Sequence, residues 1–231
     1  MALTPAAAST RYTYDFVSGS LPPAAKSVIE VGCGSGQLAA LLRENGLKVT
    51  AIDTDRDAVE AAIAVGVDAR LVSWPAETDE RFDAILFTRS LHHIEPLEAA
   101  VFAARDALRP KGRIIVEDFR AEGGGEAGAR WFSDLSRYLI AEGSLAPDTT
   151  IDELLKKLAP DGHDLHSSSA IAAALGQIGS VDATDAAYYF RYLEPHLRRP
   201  ELARDLLDQE LALIGNGSIK PLGRRFVVSP L

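Results

Sequence analysis

The sequence predicts an α/β fold, a doubly wound and mostly parallel sheet, and three observations carry that prediction. From Lys26 to Phe119, short β-branched runs alternate with amphipathic helical runs. The breaks between them are brief, which suits strands joined by right-handed crossover helices. A glycine-rich turn, Gly32 to Gly36, falls where the first strand gives way to the first helix. Ligands bind such folds outside the C-terminal ends of the strands, so every strand end becomes a site candidate.

The elements follow in order. Ser27–Val31 is an apolar, β-branched run that breaks at Gly32, as a buried strand does. Leu38, Leu41 and Leu42 then recur at helical spacing until Asn45-Gly46 ends the helix. Lys48–Asp53 reads as the second strand, and Asp57 to Gly66 as a helix with Asp55 or Asp57 as its cap. Ala69–Val72 and Asp83–Thr88 are further strands. Leu97, Ala100, Val101, Ala104 and Leu108 mark one helical stripe, stopped by Arg109 to Gly112, and Arg113–Asp118 is a fifth strand. Beyond it Glu122–Gly128 is glycine-rich and reads as a loop or hinge. Trp131 to Ala141, Ile151 to Leu158 and Ser167–Ile178 read as helices. Tyr188–Leu193 and Arg225–Val228 read as two last strands, with a helix from about Glu201 to Leu213 between them. The resulting plan is an N-terminal flap or helix over 1–25 and a domain over 26–231. A helical insertion at about 120–166 interrupts that domain as a lid.

Composition narrows the function classes. The 231 residues carry 24 Lys+Arg against 33 Asp+Glu, a formal charge of −9, which disfavours a chain that grips nucleic acid or an anionic membrane by net charge. No apolar run approaches the roughly 20 residues of a membrane span, and the N-terminus lacks the basic start of a signal peptide. One cysteine, Cys33, cannot form an internal disulfide. The expectation is a cytoplasmic protein with a small-molecule partner, no nucleic acid and no membrane, and with homodimerisation left open.

The chemistry concentrates in Glu30-Val31-Gly32-Cys33-Gly34-Ser35-Gly36. Glycines there let the chain turn sharply and let a ligand approach the backbone. Asp53 ends the next strand, where a carboxylate can accept hydrogen bonds from both hydroxyls of a ribose. Two cofactor classes share this geometry. A dinucleotide wants a third glycine where Gln37 stands, and its pyrophosphate would face Glu30 unfavourably. A ligand bearing a sulfonium and an ammonium suits that acid better.

The segments VIEVGCGSG, VTAID, FDAILFTRSLHHI and ALRPKGRIIVEDF, in that order, resemble the class I S-adenosylmethionine-dependent methyltransferases over roughly Lys26 to Phe119. The resemblance implies a Rossmann-like fold and S-adenosylmethionine as cofactor. Its methionine moiety would lie near Glu30 and Gly32, Cys33, Gly34 and Gly36. Asp53 with Thr54 would take the ribose, and the chain around Phe87 and Thr88 would lie against the amino acid end. The acid that many members carry after the third strand is replaced by Ser73-Trp74-Pro75-Ala76-Glu77, so Ser73 and Trp74 become the candidates for the base, with Trp74 equally suited to stacking on it or to packing against a helix. The Asn/Asp-Pro-Pro-Tyr/Phe motif of nucleic-acid amino methyltransferases is absent, with Phe87-Thr88-Arg89-Ser90 in its place.

Candidates for acid–base work sit at the other strand ends. His92 and His93 follow the fourth strand, and imidazole titrates nearest neutral pH. Glu117 and Asp118 end the fifth. Cys33 has no histidine beside it in sequence and reads as a packed side chain before a nucleophile. His163 and His166 have helical ligand spacing without the further ligands a metal needs, so no metal is expected. Arg11, Tyr12, Tyr14 and Phe16 form an aromatic-basic cluster that suits either a flap over the cofactor or helix packing. The reading is methyl transfer from S-adenosylmethionine to a small molecule. An NAD(P)-dependent oxidoreductase and a non-catalytic S-adenosylmethionine-binding subunit are the rivals.

Overall fold

A computed structural model describes residues 6–76, 79–120, 123–158 and 166–230. A seven-stranded sheet is formed by β1 (Ser27–Val31), β2 (Lys48–Asp53), β3 (Asp68–Leu71), β4 (Phe82–Thr88), β5 (Leu108–Phe119), β6 (Gly179–Ala186) and β7 (Gly223–Pro230), in the order β3-β2-β1-β4-β5-β7-β6. The ladders β2–β3, β1–β2, β1–β4 and β4–β5 are all parallel. Strand order reverses between β1 and β4, which opens a crevice at their C-terminal ends.

The chain divides into two compact units. One holds residues 10–118, 166–184 and 225–231; the other holds 1–9, 119–165 and 185–224. The first contains α1 (Ala8–Ser20) from Thr10 onward, α2 (Gln37–Glu44), α3 (Arg56–Ala64), α4 (Leu97–Asp106) and α7 (Ser168–Gly176). The period of two in its strands sorts side chains onto two cores. Val28, Ala51, Leu86 and Ile115 pack with Val17 of α1, Leu38 and Leu42 of α2 and Val59 of α3. Ile29, Val31, Phe87, Ile114 and Val116 pack with Ala100, Val101 and Ala104 of α4 and Ile171 and Leu175 of α7. Both faces are covered, so these strands read as almost continuous apolar runs. Asp55 caps α3 by accepting the Asp57 amide at 2.9 Å.

The other unit contains α5 (Gly125–Ala141), α6 (Ile151–Lys156), α8 (Tyr189–Leu193) and α9 (Leu202–Gly215). Here the sequence reading needs three corrections. Tyr188–Leu193 is not a strand, for most of it forms α8. The buried Glu210 carboxylate of α9 accepts the amides of Tyr188, Tyr189 and Phe190 at 2.6, 3.0 and 2.9 Å, and this cap overrides the β preference of the aromatic residues. The strand missed by the sequence reading is β6, whose GSVDATDA has too little apolar alternation to stand out because it is an exposed edge strand. Gly125–Gly128, expected in a loop, opens α5. Gly124 and Gly128 lack side chains because the Tyr189 hydroxyl occupies the space a Cβ would need. A smaller difference concerns Leu108, which begins β5 instead of closing the preceding helix.

No helix among the described residues is long and apolar enough to cross a membrane. His163 and Glu77 lie outside the described residues, as does Glu122.

Candidate active site

The ends of β1, β2, β3 and β4, the loops that follow them and the start of α1 surround a crevice of about 780 Å³. Nine of the eleven residues expected to hold the cofactor line it: Glu30, Gly32, Cys33, Gly34, Asp53, Thr54, Ser73, Trp74 and Thr88. Two do not. Phe87 is fully buried in the core with its ring 6.2 Å from that of Trp74. Gly36 begins α2 at φ 73°, and a Cβ there would come within 2.7 Å of the Ala62 side chain, so it serves the packing of α2 on α3. Gly32 is small because Ser90 fills the adjacent space, where its hydroxyl donates to the Val31 carbonyl at 2.5 Å. Gly34 differs from both. Its φ is 52°, and no described atom lies within 4 Å of where a Cβ would be.

Asp53 and the glycine loop are directly joined. The Gly34 amide donates to Asp53 Oδ2 at 2.8 Å, and the Asp55 amide donates to Oδ1 at 3.0 Å. Each oxygen keeps a further lone pair for a ligand hydroxyl.

Glu30 is the most unusual group of the crevice. It is 2 % exposed; Thr88 donates to its Oε1 at 2.9 Å, while Oε2 is buried without a hydrogen-bond partner. Burial, with a small addition from Asp53, pushes its carboxyl up to about 7, against the opposing pull of the Thr88 hydroxyl, the Arg89 charge and the nearby Ala39 amide. Burial, reinforced by Glu30 and Asp53, pushes the Cys33 thiol up to about 12, so it is protonated at neutral pH and a poor nucleophile.

Of the four acid–base candidates, only His93 lines the crevice. Burial and the neighbouring His92 hold its pKa below the usual imidazole value, against the opposing influence of Asp118. His92 is buried and pairs through Nδ1 with Asp118 Oδ1 at 2.6 Å, and its ring centre stands 4.0 Å from that of His93. Asp118 is fully buried, and its Oδ2 accepts the His92 amide at 3.3 Å. Glu117, also buried, accepts from Thr13 Oγ1 at 2.6 Å and from Arg225 Nε at 2.7 Å. Arg225 in turn lies over the rings of Tyr12 and Phe16, with centroid distances of 4.0 and 4.5 Å. Two rings of the N-terminal aromatic-basic cluster, Tyr12 and Phe16, thus pack against a largely buried arginine from β7, while Arg11 lies over Tyr14. His92, Glu117 and Asp118 are buried beside these partners and do not line the crevice.

Trp74 packs as well as lines: its Nε1 donates to the Ala100 carbonyl of α4 at 3.0 Å. Thr10, Thr13, Arg89, Ser90 and Glu95 were not among the expected site residues, yet all line the crevice. Arg89 and Ser90 had a usable signal, since they follow Thr88 at a strand end. Thr10 and Thr13 lie on α1, in the segment whose aromatic-basic cluster suited a flap over the cofactor, although neither threonine was singled out. His166 donates through Nε2 to the Ile94 carbonyl, 3.1 Å away, and does not line the crevice. No three His, Cys, Asp or Glu among the described residues are placed to hold a metal. Among the aromatic residues of α5, Phe132 is fully buried. Trp131 and Tyr138 line a separate hollow of about 480 Å³ between α5 and α9.

Comparison with known proteins agrees with this geometry. Residues 10–157 match a family model described as a methyltransferase domain. A ubiquinone biosynthesis O-methyltransferase of Xanthomonas axonopodis pv. citri is 33% identical over 111 residues, covering 44% of this chain and 46% of the relative. An uncharacterized methyltransferase of Mycobacterium bovis is 30% identical over 142 residues, covering 59% and 56%. The chain thus matches about half the length of these curated relatives. A geranyl diphosphate C-methyltransferase structure from Streptomyces coelicolor superposes with a TM-score of 0.59 at 11% identity, covering 95% of this chain and 78% of that one. At that identity the likeness is one of fold.

Proposed function

Because this chain belongs to the class I S-adenosylmethionine-dependent methyltransferases, we propose that it transfers the methyl group of S-adenosylmethionine to a small-molecule acceptor. The observation that carries this reading is the unpartnered Oε2 of Glu30, buried in the wall of the same crevice that Asp53 lines. A buried carboxylate oxygen without a donor is costly and calls for a cationic or hydrogen-bonding ligand. The α-ammonium of the cofactor supplies such a donor, while a pyrophosphate would add like charge. Glu30 therefore favours S-adenosylmethionine over NAD.

When bound, S-adenosylmethionine supplies an electrophilic methyl group on a sulfonium. The protein's share of the work is positioning. Glu30 orients the amino acid end, Asp53 the ribose, and Gly34 leaves room against the backbone. Ser73 and Trp74 stand at the end of β3, the side of the crevice left for the base. His93 is the base that fits an acceptor with a proton to lose, since it lines the crevice and stays neutral near pH 7. The two named relatives include an O-methyltransferase, so a phenolic hydroxyl is the first acceptor class to test.

Isothermal titration with S-adenosylhomocysteine and with NAD tests the cofactor. Binding of the former alone supports the reading; tight NAD binding without S-adenosylhomocysteine binding overturns it. Transfer of labelled methyl groups to a panel of phenols, amines and thiols then tests turnover. Binding without transfer to any of them would favour a non-catalytic subunit.

A further inference from the structure

We propose that Arg89 is a carboxylate receptor set into the crevice wall, a role that rests on the methyl-transfer reading and adds an anionic group to the ligands recognised there. Three observations converge on it. Arg89 is the one lysine or arginine among the described residues lining the crevice, whose other charged groups include Glu30, Asp53 and Glu95. A ligand anion entering this space therefore has a single guanidinium to meet. Its side chain is 40% exposed, so the fork is reachable.

The second observation is that Arg89 is poorly matched by the protein. Its nearest carboxylate oxygen is Glu117 Oε1 at 3.6 Å, beyond good hydrogen-bond distance. Glu117 is already engaged more tightly, by Arg225 Nη2 at 2.6 Å and Nε at 2.7 Å and by Thr13 at 2.6 Å. Two arginines thus share one buried carboxylate: Arg225 places Nε and Nη2 on its Oε2, while Arg89 faces Oε1, which already accepts from Thr13. Arg89 retains donors for a second anion.

The third is backbone conformation. Arg89 has φ 62°, a region that residues other than glycine seldom occupy, and its amide donates to the Glu117 carbonyl at 2.7 Å. Such conformations persist where surrounding structure enforces them, and they cluster at ligand sites. Here the strained turn places the guanidinium in the wall of the crevice directly after Thr88, the partner of Glu30. The charge of Arg89 is also felt at the Glu30 carboxyl, so an acid and a base of opposite sign stand together.

A carboxylate could come from two sources: the α-carboxylate of the cofactor, or an acidic acceptor. Titration of wild type and Arg89→Leu with S-adenosylhomocysteine and with 5′-methylthioadenosine, which lacks the amino acid, separates them. If the cofactor is the source, S-adenosylhomocysteine affinity falls about tenfold or more in the variant while 5′-methylthioadenosine affinity is unchanged. If the acceptor is the source, both nucleosides bind as before. Benzoate then binds the S-adenosylhomocysteine-loaded wild type and not the variant, and benzamide binds neither. Arg89→Gly accepts the positive φ and repeats each measurement should Arg89→Leu fold poorly. Equal affinities throughout, with no benzoate binding lost, overturn the proposal. Failure of the wild type to bind either nucleoside overturns the methyl-transfer reading instead. The benzoate comparison on the nucleoside-free protein then decides the role of Arg89 by itself.

Discussion

The amide of Gly34 and the carboxylate of Asp53 meet at 2.8 Å, so the glycine loop and the acid ending β2 form one hydrogen-bonded unit. A ligand that draws on Asp53 also feels any disturbance of the loop. Asp53→Ala removes the acceptor proposed for the ribose and releases the Gly34 amide together. Its cost to S-adenosylhomocysteine binding, measured by titration calorimetry, is expected to be about 1.5–3 kcal/mol. Unchanged affinity would place the ribose elsewhere.

Gly34 and Gly36 should respond differently to the same substitution. Gly34→Val places its methyl groups in open crevice, so binding is lost while folding suffers only the backbone strain of a positive φ, about 1–3 kcal/mol. Gly36→Val drives a Cβ against Ala62 and adds a steric clash between α2 and α3 to a similar strain. Thermal melts should rank Gly36→Val as the less stable. The reverse order would misplace the open side of the loop.

Glu30→Gln tests the buried acid through stability and pH. The ordinary carboxyl value of 4.5 describes the unfolded chain, and the folded value is about 7. Between those values the folded protein binds the extra proton, so the stability that Glu30 contributes is full below pH 4.5 and lost as pH rises through 7. Glutamine does not titrate. Its advantage over wild type should therefore grow between pH 5 and pH 8, towards about 3 kcal/mol. Urea denaturation at both values measures this, and the same variant should bind S-adenosylhomocysteine less well. A pH-independent difference would mean that Glu30 is not desolvated.

Glu117→Ala should be the most destabilising of these changes. It takes the carboxylate away from the largely buried Arg225 guanidinium and leaves it the Tyr12 carbonyl and two ring faces, and breaking such a pair typically costs about 3–5 kcal/mol. Chemical denaturation in the ligand-free protein reads this directly. A loss below about 1 kcal/mol would show that Arg225 readily finds water.

His93→Ala should spare S-adenosylhomocysteine binding and lower turnover of a phenolic acceptor by about 10²–10⁴-fold. In wild type, the acidic limb of the rate profile should fall below the ordinary imidazole value of 6.5. Turnover that ignores this substitution would assign proton removal to solvent.

Most residues that line the crevice were legible because their signals are local. Glu30, Gly32 and Asp53 lie at breaks between a β pattern and a helical one, and strand ends are where this architecture collects ligands. Which glycine faces ligand was not legible, since Gly32, Gly34 and Gly36 differ only in what the fold brings opposite them. The same holds for His92 and His93. They are neighbours in sequence, yet Asp118 takes one into the interior and leaves the other in the crevice. Tyr188–Leu193 misled for a related reason, because its cap comes from Glu210, some twenty residues on.

Cys33 has a further consequence if the crevice holds a sulfonium, as proposed. A thiolate in that wall would be a competing acceptor, and the enzyme would alkylate itself. With its thiol pushed up to about 12 by burial and two carboxylates, Cys33 keeps its proton throughout the physiological range. The same acids that invite a cation into the crevice also disarm the one sulfur nucleophile that lines it.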